Sequence, residues 1–268
     1  MKIAQYLKRQ DWHDPNVASD RIRGEWVMNY CPEMEEWRPG QQYDAVIFHN
    51  PVPLIASTAG LKILDICDPL WQHSVTTFKA MARHIHAFVT ATDELRTQVK
   101  QIVDKPTVVI GDGHHFPFYE TRLWNPHQES AKRAVWFGYA DNAFSLKPLL
   151  NAILIRNKLK LTVIAERNPF PELDIDFQQW ARDSYIREIS MADFAVLPLT
   201  QPYKSNNKDV SALLCGIPVA KTTDDIDRLI APYERQRDML KAPEIISQHG
   251  ARDRAKDYLD WIRICLAK

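Results

Sequence analysis

Two lysines and three polar residues stand together at the predicted start of a helix, in the segment KSNNK at 204–208. The segment follows a buried apolar run, so its backbone N–H groups should lie at the positive end of that helix and favour an anion. Lys204 and Lys208 flank the loop, and a diphosphate suits this charge pattern. We expect the side chains of Ser205, Asn206 and Asn207 either to bond the same ligand or to cap the helix. The alternative is a loop in which the asparagines only cap the helix and both lysines are solvated.

Two carboxylates follow another predicted strand, in the segment LDICDPLW. Asp65 and Asp68 should therefore lie at the carboxyl edge of a parallel sheet, where ligands bind. Either carboxylate would orient an acceptor hydroxyl, and one would act as a general base if the reaction needs one. Pro69 follows Asp68, an arrangement typical of a helix N-cap, so capping alone explains Asp68 well. Asp65 is the stronger catalytic candidate, and we expect it to contribute to turnover rather than to folding.

Three further side chains lie where predicted strands open into loops. His49 follows a strand in FHNP, His114 lies in GDGHH, and Arg167 ends LTVIAER. An imidazole in a cleft hydrogen-bonds a sugar hydroxyl or a phosphate and moves a proton near neutral pH, although a lone histidine is more often structural. The guanidinium of Arg167 would neutralise the charge that builds on a departing diphosphate. An exposed salt bridge is the alternative for Arg167.

A glycine loop follows the apolar run AVWF. Gly138 lets a ligand approach the backbone, Tyr139 stands next to it, and Asp141 or Asn142 starts the next helix. This loop, GYADN, is not a GxGxxG fingerprint, and the chain has no GxxxxGK[ST] segment. Both absences argue against a dinucleotide-dependent dehydrogenase and a P-loop phosphotransferase. The histidines form no convincing ligand pair at helical spacing, so we expect no metal site.

The elements that must position these residues alternate between short β-branched runs and stretches of helical periodicity, which predicts an α/β fold with parallel sheets. The predicted strands are 43–49, 62–66, 87–90, 107–110, 134–137, 160–164, 194–198 and 218–220. The predicted helices are 73–86, 93–103, 145–156, 177–191, 207–215 and 251–267.

This alternation pauses between residues 111 and 133, which indicates a link between two lobes. We expect an acceptor-binding lobe at 1–118 and a donor-binding lobe at 119–250, with a last helix at 251–268 that packs back on the first lobe. Ligands bind beyond the carboxyl ends of parallel strands, so a cleft between facing lobes is the expected active site.

The order of these segments carries a family resemblance. The stretch MADFAVLPLTQPYKSNNKDVSALLCGIPVA resembles the donor-binding segment of GT-B-type glycosyltransferases, in particular the large retaining, glycogen-synthase-like family. Other segments resemble that family in its own order over most of residues 18–220. They are ASDRIRG, which contains Arg23, then YDAVIFHNP, KILDICDPLW, VTATDELRTQV, VVIGDGHHF and VWFGYADNAFSLKPLLNAI.

The resemblance implies two Rossmann-like lobes and the transfer of a sugar from a UDP- or GDP-sugar to a hydroxyl acceptor, without a permanently bound cofactor. Asp65 and His49 would position the acceptor, while Asp68, His114 and Arg23 would line its side of the cleft. The expected donor-binding residues are Gly138, Tyr139, Arg167, Lys204, Ser205, Asn206, Asn207 and Lys208.

The sequence also departs from the family. Many members place two glutamates eight residues apart, at positions that here are Tyr203 and Ser211. In that family the second carboxylate usually holds the ribose hydroxyls, so another group must bind the ribose here. Retention and inversion of configuration therefore both stay open.

The bulk composition bounds the acceptor and the compartment. With 268 residues, 45% of them hydrophobic, the chain can bury packed cores, and 34 basic against 34 acidic residues give no global field that attracts nucleic acid. An early charged start, no long apolar run and four scattered cysteines predict a cytoplasmic protein without a membrane span. The acceptor is a glycan, a small molecule or modified DNA. The alternatives are a phage-type DNA-modifying glycosyltransferase and a catalytically inactive GT-B-like binding subunit.

Overall fold

The computed structural model of the protein describes residues 1–7, 18–49, 60–119, 129–182, 184–198, 201 and 203–267. The chain is α/β, as predicted, and divides into two compact units. The first unit comprises Met1–His115, Gln201–Ser205 and His249–Lys268, and the second comprises Phe116–Thr200 and Asn206–Gln248.

In the described part of the first unit, six strands form a parallel sheet in the order β2-β1-β3-β4-β5-β6. The strands are β1 Ile3–Tyr6, β2 Met34–Glu36, β3 Ala45–His49, β4 Leu61–Ile66, β5 Ala87–Thr90 and β6 Thr107–Val109. The chain turns from one side of β1 to the other between β2 and β3. The carboxyl ends of β1 and β3 therefore flank the point at which a sheet of this kind binds ligands.

Helices cover the sheet of the first unit on both faces. One apolar cluster contains Phe48, Leu64 and Phe88, and the other contains Ile47 and Ile63 together with side chains of the last helix. The helical segments of this unit are the π-helical turn Asp20–Glu25, Trp26–Met28, the 3-10 turn Leu70–Gln72, Val75–Ala82, Asp93–Ile102 and the C-terminal helix Ala251–Leu266.

The second unit has a parallel sheet of five strands within the described residues, in the order β11-β10-β7-β8-β9. The strands are β7 Arg133–Phe137, β8 Lys160–Ala165, β9 Asp176–Gln179, β10 Phe194–Val196 and β11 Val219–Ala220. Here the chain changes direction between β7 and β10. The loops that follow these two strands therefore flank the ligand-binding point of the second sheet.

One of the helical segments of the second unit differs in type from the prediction. The run predicted as one α-helix at 145–156 is a 3-10 helix followed by a π-helical turn, and Pro148, which lacks an N–H, interrupts the α-helical bonding there. The segments are Phe116–Phe118, Ala140–Leu149, Asn151–Arg156, Tyr185–Ser190, Asn207–Leu214, Thr223–Leu229, Pro232–Met239 and Ala242–Ser247. Among the described residues, no helix has the length and apolar character needed to cross a membrane.

The prediction of a helix at 177–191 is wrong in its first part. Residues Asp176–Gln179 form β9, which pairs in parallel with β8, and the helix starts only at Tyr185. Pairing with β8 at the sheet edge therefore overrides the helical periodicity at the start of this segment.

Candidate functional site

The ligand-binding point of the second sheet brings together a glycine from the loop after β7 and a lysine from the first turn of the helix Asn207–Leu214. Gly138 directly follows β7 and has a φ of 153°, a conformation that favours glycine. A side chain at position 138 would clash with Nζ of Lys208 and lie 3.2 Å from its Cε. The ammonium of Lys208 also lies 5.2 Å from the ring centroid of Trp136. A cation is thus held at the backbone where the sheet ends.

The start of the helix Asn207–Leu214 carries Lys208 into this position. Asn206 occupies the N-cap position of the helix, but its side chain does not cap it. The first-turn N–H groups of such a helix favour an anion, as does the lysine beside Gly138. Lys208 is thereby brought to the carboxyl end of β7, and Asn206 and Asn207 directly precede it in the chain. Tyr139, which is exposed, directly follows Gly138.

Arg167 lies at the carboxyl end of β8, but it is engaged by carboxylates on the surface. Its Nη1 donates to Oε1 of Glu166 at 3.0 Å, and its Nη2 forms an ion pair with Asp141. Both oxygens of Glu166 accept the backbone N–H of Ala140, at 3.1 and 3.0 Å. The exposed salt bridge considered for Arg167 is therefore present. A ligand would have to compete with Asp141 for the guanidinium.

The other two residues of the KSNNK segment belong to the first unit. Lys204 forms an ion pair with Asp68, and Oγ of Ser205 donates to Asp112. Burial alone would lower the pKa of Lys204, but the carboxylate of Asp68 raises it above its usual value. Lys204 is therefore fully cationic at neutral pH. Asp68 is not the helix cap that was considered for it, since Pro69 occupies the N-cap of the turn Leu70–Gln72 and Ser74 caps the helix Val75–Ala82.

His49 and Asp65 are neighbours at the ligand-binding point of the first sheet. The two residues are register partners on β3 and β4, and His49 Nδ1 lies 3.5 Å from Oδ2 of Asp65. The other ring nitrogen, Nε2, is 2.5 Å from Oε1 of Gln5 on β1. The side chains of His49 and Asp65 are buried. The structure thus brings the two predicted catalytic residues together, beneath the surface of the unit.

Arg23 binds Asp65 from the other side. Its Nε and Nη2 donate to Oδ1 of Asp65 at 3.0 and 2.7 Å, and Nη1 donates to Asp112 at 2.8 Å. The hydroxyl of Tyr258, on the C-terminal helix, donates to Asp65 and accepts from Arg23 at 3.2 Å. Burial opposes ionisation of Arg23, yet the carboxylates of Asp65 and Asp112 raise its pKa well above the usual value.

These contacts correct the expectation that Asp65 matters little to folding. Its carboxylate is an ion-pair partner of a fully buried guanidinium, and such a group cannot be neutralised without leaving a buried charge uncompensated. A catalytic role for Asp65 stays a prediction. Arg23, expected to line the cleft, lies in the interior of the first unit.

His114 is also buried. Its backbone N–H donates to the carbonyl of His249 at 2.7 Å, and its carbonyl accepts from Ala251 at 2.9 Å. Burial lowers the pKa of the His114 imidazole to about 4; the carboxylate of Asp112 opposes this shift, and His249 and Arg21 add to it. The ring is therefore neutral at physiological pH. Contact with an acceptor stays a prediction for His114.

Comparison with solved structures identifies the fold of the chain. No protein-family model and no curated protein sequence matches the chain. HepE of Anabaena, in complex with UDP and glucose, matches with a TM-score of 0.65 and 14% identity over 82% of this chain and 78% of HepE. An α-glucosyltransferase in complex with UDP and a 13-mer DNA containing an HMU base matches with a TM-score of 0.68 and 10% identity over 100% of both chains. The T4 phage β-glucosyltransferase matches with a TM-score of 0.60 and 12% identity over 99% of both chains.

The chain has the GT-B fold. Identities this low establish the architecture, and function must be argued from the residues of the site. Within the GT-B fold, the glycine loop after β7 and the start of the helix Asn207–Leu214 both belong to the second unit, the half in which the sequence predicts the donor site.

The structure also shows what occupies the two positions at which the resembled family has glutamates. Ser211 is buried, and its Oγ is hydrogen-bonded to the hydroxyl of Tyr119 at 3.0 Å. Tyr203 packs in the apolar core of the first unit, and its carbonyl accepts from Oγ1 of Thr92 at 3.2 Å. Both positions serve packing in this chain, so neither supplies a carboxylate to a ligand.

Sequence reasoning missed several residues of these sites. Trp136 lies near the ammonium of Lys208, but its place inside a strand predicts only an ordinary core residue. Asp112 and Tyr258 are far in sequence from Arg23, and nothing local marks them as its partners. Glu166 could have been found from the sequence, because it is an acidic residue directly after a buried strand. Among the described residues, no His, Cys, Asp and Glu side chains cluster in a way that could hold a metal ion.

Proposed function

We propose that this protein is a glycosyltransferase that moves a sugar from a nucleoside-diphosphate sugar to a hydroxyl acceptor. The observation that carries the proposal is the ammonium of Lys208, held against the backbone of Gly138 at the carboxyl ends of β7 and β10. A GT-B sheet binds its ligand at this point, and a fixed cation there matches the diphosphate of such a donor. UDP is the favoured nucleotide, because the HepE structure and the α-glucosyltransferase structure both contain UDP.

The leaving nucleoside diphosphate gains negative charge in the transition state, so cations at the diphosphate speed the reaction. In this proposal Lys208 and the N–H groups at Asn207 hold the phosphates, and Arg167 joins them by exchanging Asp141 for the ligand. Lys204 and Ser205 stabilise the loop that leads to the helix through their bonds with Asp68 and Asp112. Gly138 and Tyr139 line the donor.

The acceptor belongs to the first unit in this proposal. His49 and Asp65 lie at the ligand-binding point of the first sheet, and an acceptor hydroxyl that reaches His49 would find an imidazole oriented by Gln5 and Asp65. The chemical class is a hydroxyl compound, either a glycan or a small molecule. Transfer to modified DNA is not favoured, since a formal net charge of zero gives no general attraction for a polyanion.

A binding screen followed by a turnover assay tests the proposal. A ligand that binds only the folded state raises the melting temperature, so UDP and UDP-sugars should raise it while uridine raises it less. The same protein should then release UDP from a UDP-sugar in the presence of hydroxyl acceptors. No shift with any nucleoside diphosphate or its sugars would refute the proposal. Binding without any turnover would instead favour an inactive binding subunit.

A further inference from the structure

Glu166 occupies a position at which nucleotide-binding sheets of this kind carry an acidic residue that contacts the ligand. It directly follows β8, the second strand of its unit along the chain and the neighbour of β7 in the sheet. The glycine loop follows β7. In nucleotide-binding sheets with this strand order, the loop after the first strand receives the phosphates and an acidic residue after the second strand binds a ribose hydroxyl.

The carboxylate of Glu166 is tied to the glycine loop itself. Both of its oxygens accept the N–H of Ala140, two residues after Gly138, and Arg167 donates to Oε1. The side chain is nevertheless 42% exposed. A carboxylate can accept about four hydrogen bonds, so lone pairs remain for a ligand that lies over the loop.

The helix Asn207–Leu214 supplies no carboxylate for a ribose at the position where the resembled family has one. The family that the sequence resembles uses a glutamate of this helix for the ribose, but the corresponding residue here is Ser211, which is buried against Tyr119. A ribose bound beside Gly138 therefore needs an acceptor from another element. Glu166 is a carboxylate at the same edge of the sheet, attached to the same loop.

We propose that Glu166 binds the ribose hydroxyls of the nucleoside diphosphate and selects ribonucleotides over 2′-deoxyribonucleotides. This inference rests on the proposed function, because it assumes that the diphosphate lies at Gly138 and Lys208. A site built to hydrogen-bond a hydroxyl rejects the analogue that lacks it, since the acceptor then stays unpaired.

A simpler role for Glu166 is to cap the 3-10 helix Ala140–Leu149 by accepting its first N–H. Asp225 offers a matched control for that role. Its Oδ2 accepts the N–H groups of Lys221 and Thr222 at 3.0 and 3.1 Å, at the start of the helix Thr223–Leu229. Both carboxylates cap a helix of the second unit, but only Glu166 follows the strand next to β7.

The test compares the dissociation constants of UDP and 2′-deoxy-UDP by titration calorimetry. The wild type should bind UDP about tenfold or more tightly than 2′-deoxy-UDP, as expected for a hydrogen bond to a charged acceptor. Glu166→Ala should bring the two constants to within about twofold, mainly by weakening UDP. Glu166→Gln keeps an acceptor for Ala140 and should give an intermediate ratio. Asp225→Asn should lower the melting temperature and leave the ratio as in the wild type.

The outcomes separate this inference from the proposed function. If the wild type binds neither nucleotide, the proposed function fails and the inference fails with it. If the wild type binds both with equal affinity, or Glu166→Ala keeps the full ratio, a nucleotide site exists and only the role of Glu166 is overturned. Should Glu166→Ala not fold, the wild-type ratio and Glu166→Gln still decide.

Discussion

Arg23 and Asp65 form an ion pair in the interior of the first unit, with Nη2 2.7 Å from Oδ1 and side-chain exposures of 1% and 0%. Both residues reach this place from separate elements, the π-helical turn Asp20–Glu25 and the end of β4. The pair fixes that turn against the carboxyl edge of the sheet, next to His49. Stability and the acceptor side of the proposed site therefore depend on the same two side chains.

Breaking this pair should cost far more stability than breaking an exposed one. Removing one partner of a buried pair costs about 3–5 kcal/mol, because the other charge stays buried without compensation. We expect this loss for Arg23→Met and Asp65→Asn in urea unfolding. Asp68→Asn, which removes an ion pair of a half-exposed lysine, should cost about 0–1 kcal/mol. Equal, small losses in all three variants would contradict the account.

His114 should make stability depend on pH in the weakly acidic range. Its pKa is about 4 in the folded chain, against about 6.5 for an unfolded histidine. Between these values the unfolded chain binds more protons, so the free energy of unfolding falls as the pH falls from about 6.5 to about 4. From about pH 7.5 to about pH 5 the contribution is about 2 kcal/mol.

The check compares urea unfolding of the wild type with that of His114→Gln at both pH values. The variant cannot take up this proton, so its loss of stability on acidification should be smaller by the amount given above. The two proteins differ only at this position, so the difference between their losses reports on His114. An identical loss in the two proteins would show that His114 is not buried as a neutral imidazole.

Gly138→Ala should impair nucleotide binding beyond its cost in stability. The new methyl group would displace the ammonium of Lys208, and the backbone φ of 153° at position 138 is unfavourable for alanine. We expect the affinity for UDP to fall about tenfold or more, the value of a charge-assisted hydrogen bond. Gly40→Ala is the matched control, with a φ of 78° and no atom within 4 Å of the added Cβ. It should lose stability alone, so similar UDP affinities for the two variants would argue against the site.

Much of the fold follows from the sequence because the central strands are apolar and β-branched. The runs at 45–49, 134–137 and 161–165 are buried on both faces, and a mainly apolar run is the pattern of such strands. The strands that the sequence did not predict are short or polar. Ile3–Tyr6 has four residues, and Met34–Glu36 is MEE, which becomes a strand only by pairing with β1.

The site could be predicted only in its parts. The sequence singles out Gly138 and Lys208 separately, because a glycine after a strand and a lysine at a helix start are local patterns. Their contact joins residues 70 positions apart and depends on the tertiary fold. Arg23 was misplaced for a physical reason: charged side chains are rarely buried, and the carboxylates that make burial tolerable here come from distant elements.

The most direct test of the central claim is titration calorimetry of uridine and UDP with the wild type, Lys208→Ala and Lys160→Ala. Lys160 begins β8, at the edge of the same sheet opposite Gly138, and pairs with Asp176 at 3.4 Å. If Lys208 holds the diphosphate, Lys208→Ala should weaken UDP about tenfold or more and uridine hardly at all, while Lys160→Ala should bind both as the wild type does. Unchanged UDP affinity in Lys208→Ala, or an equal loss in Lys160→Ala, would contradict a nucleotide-sugar site at the end of β7.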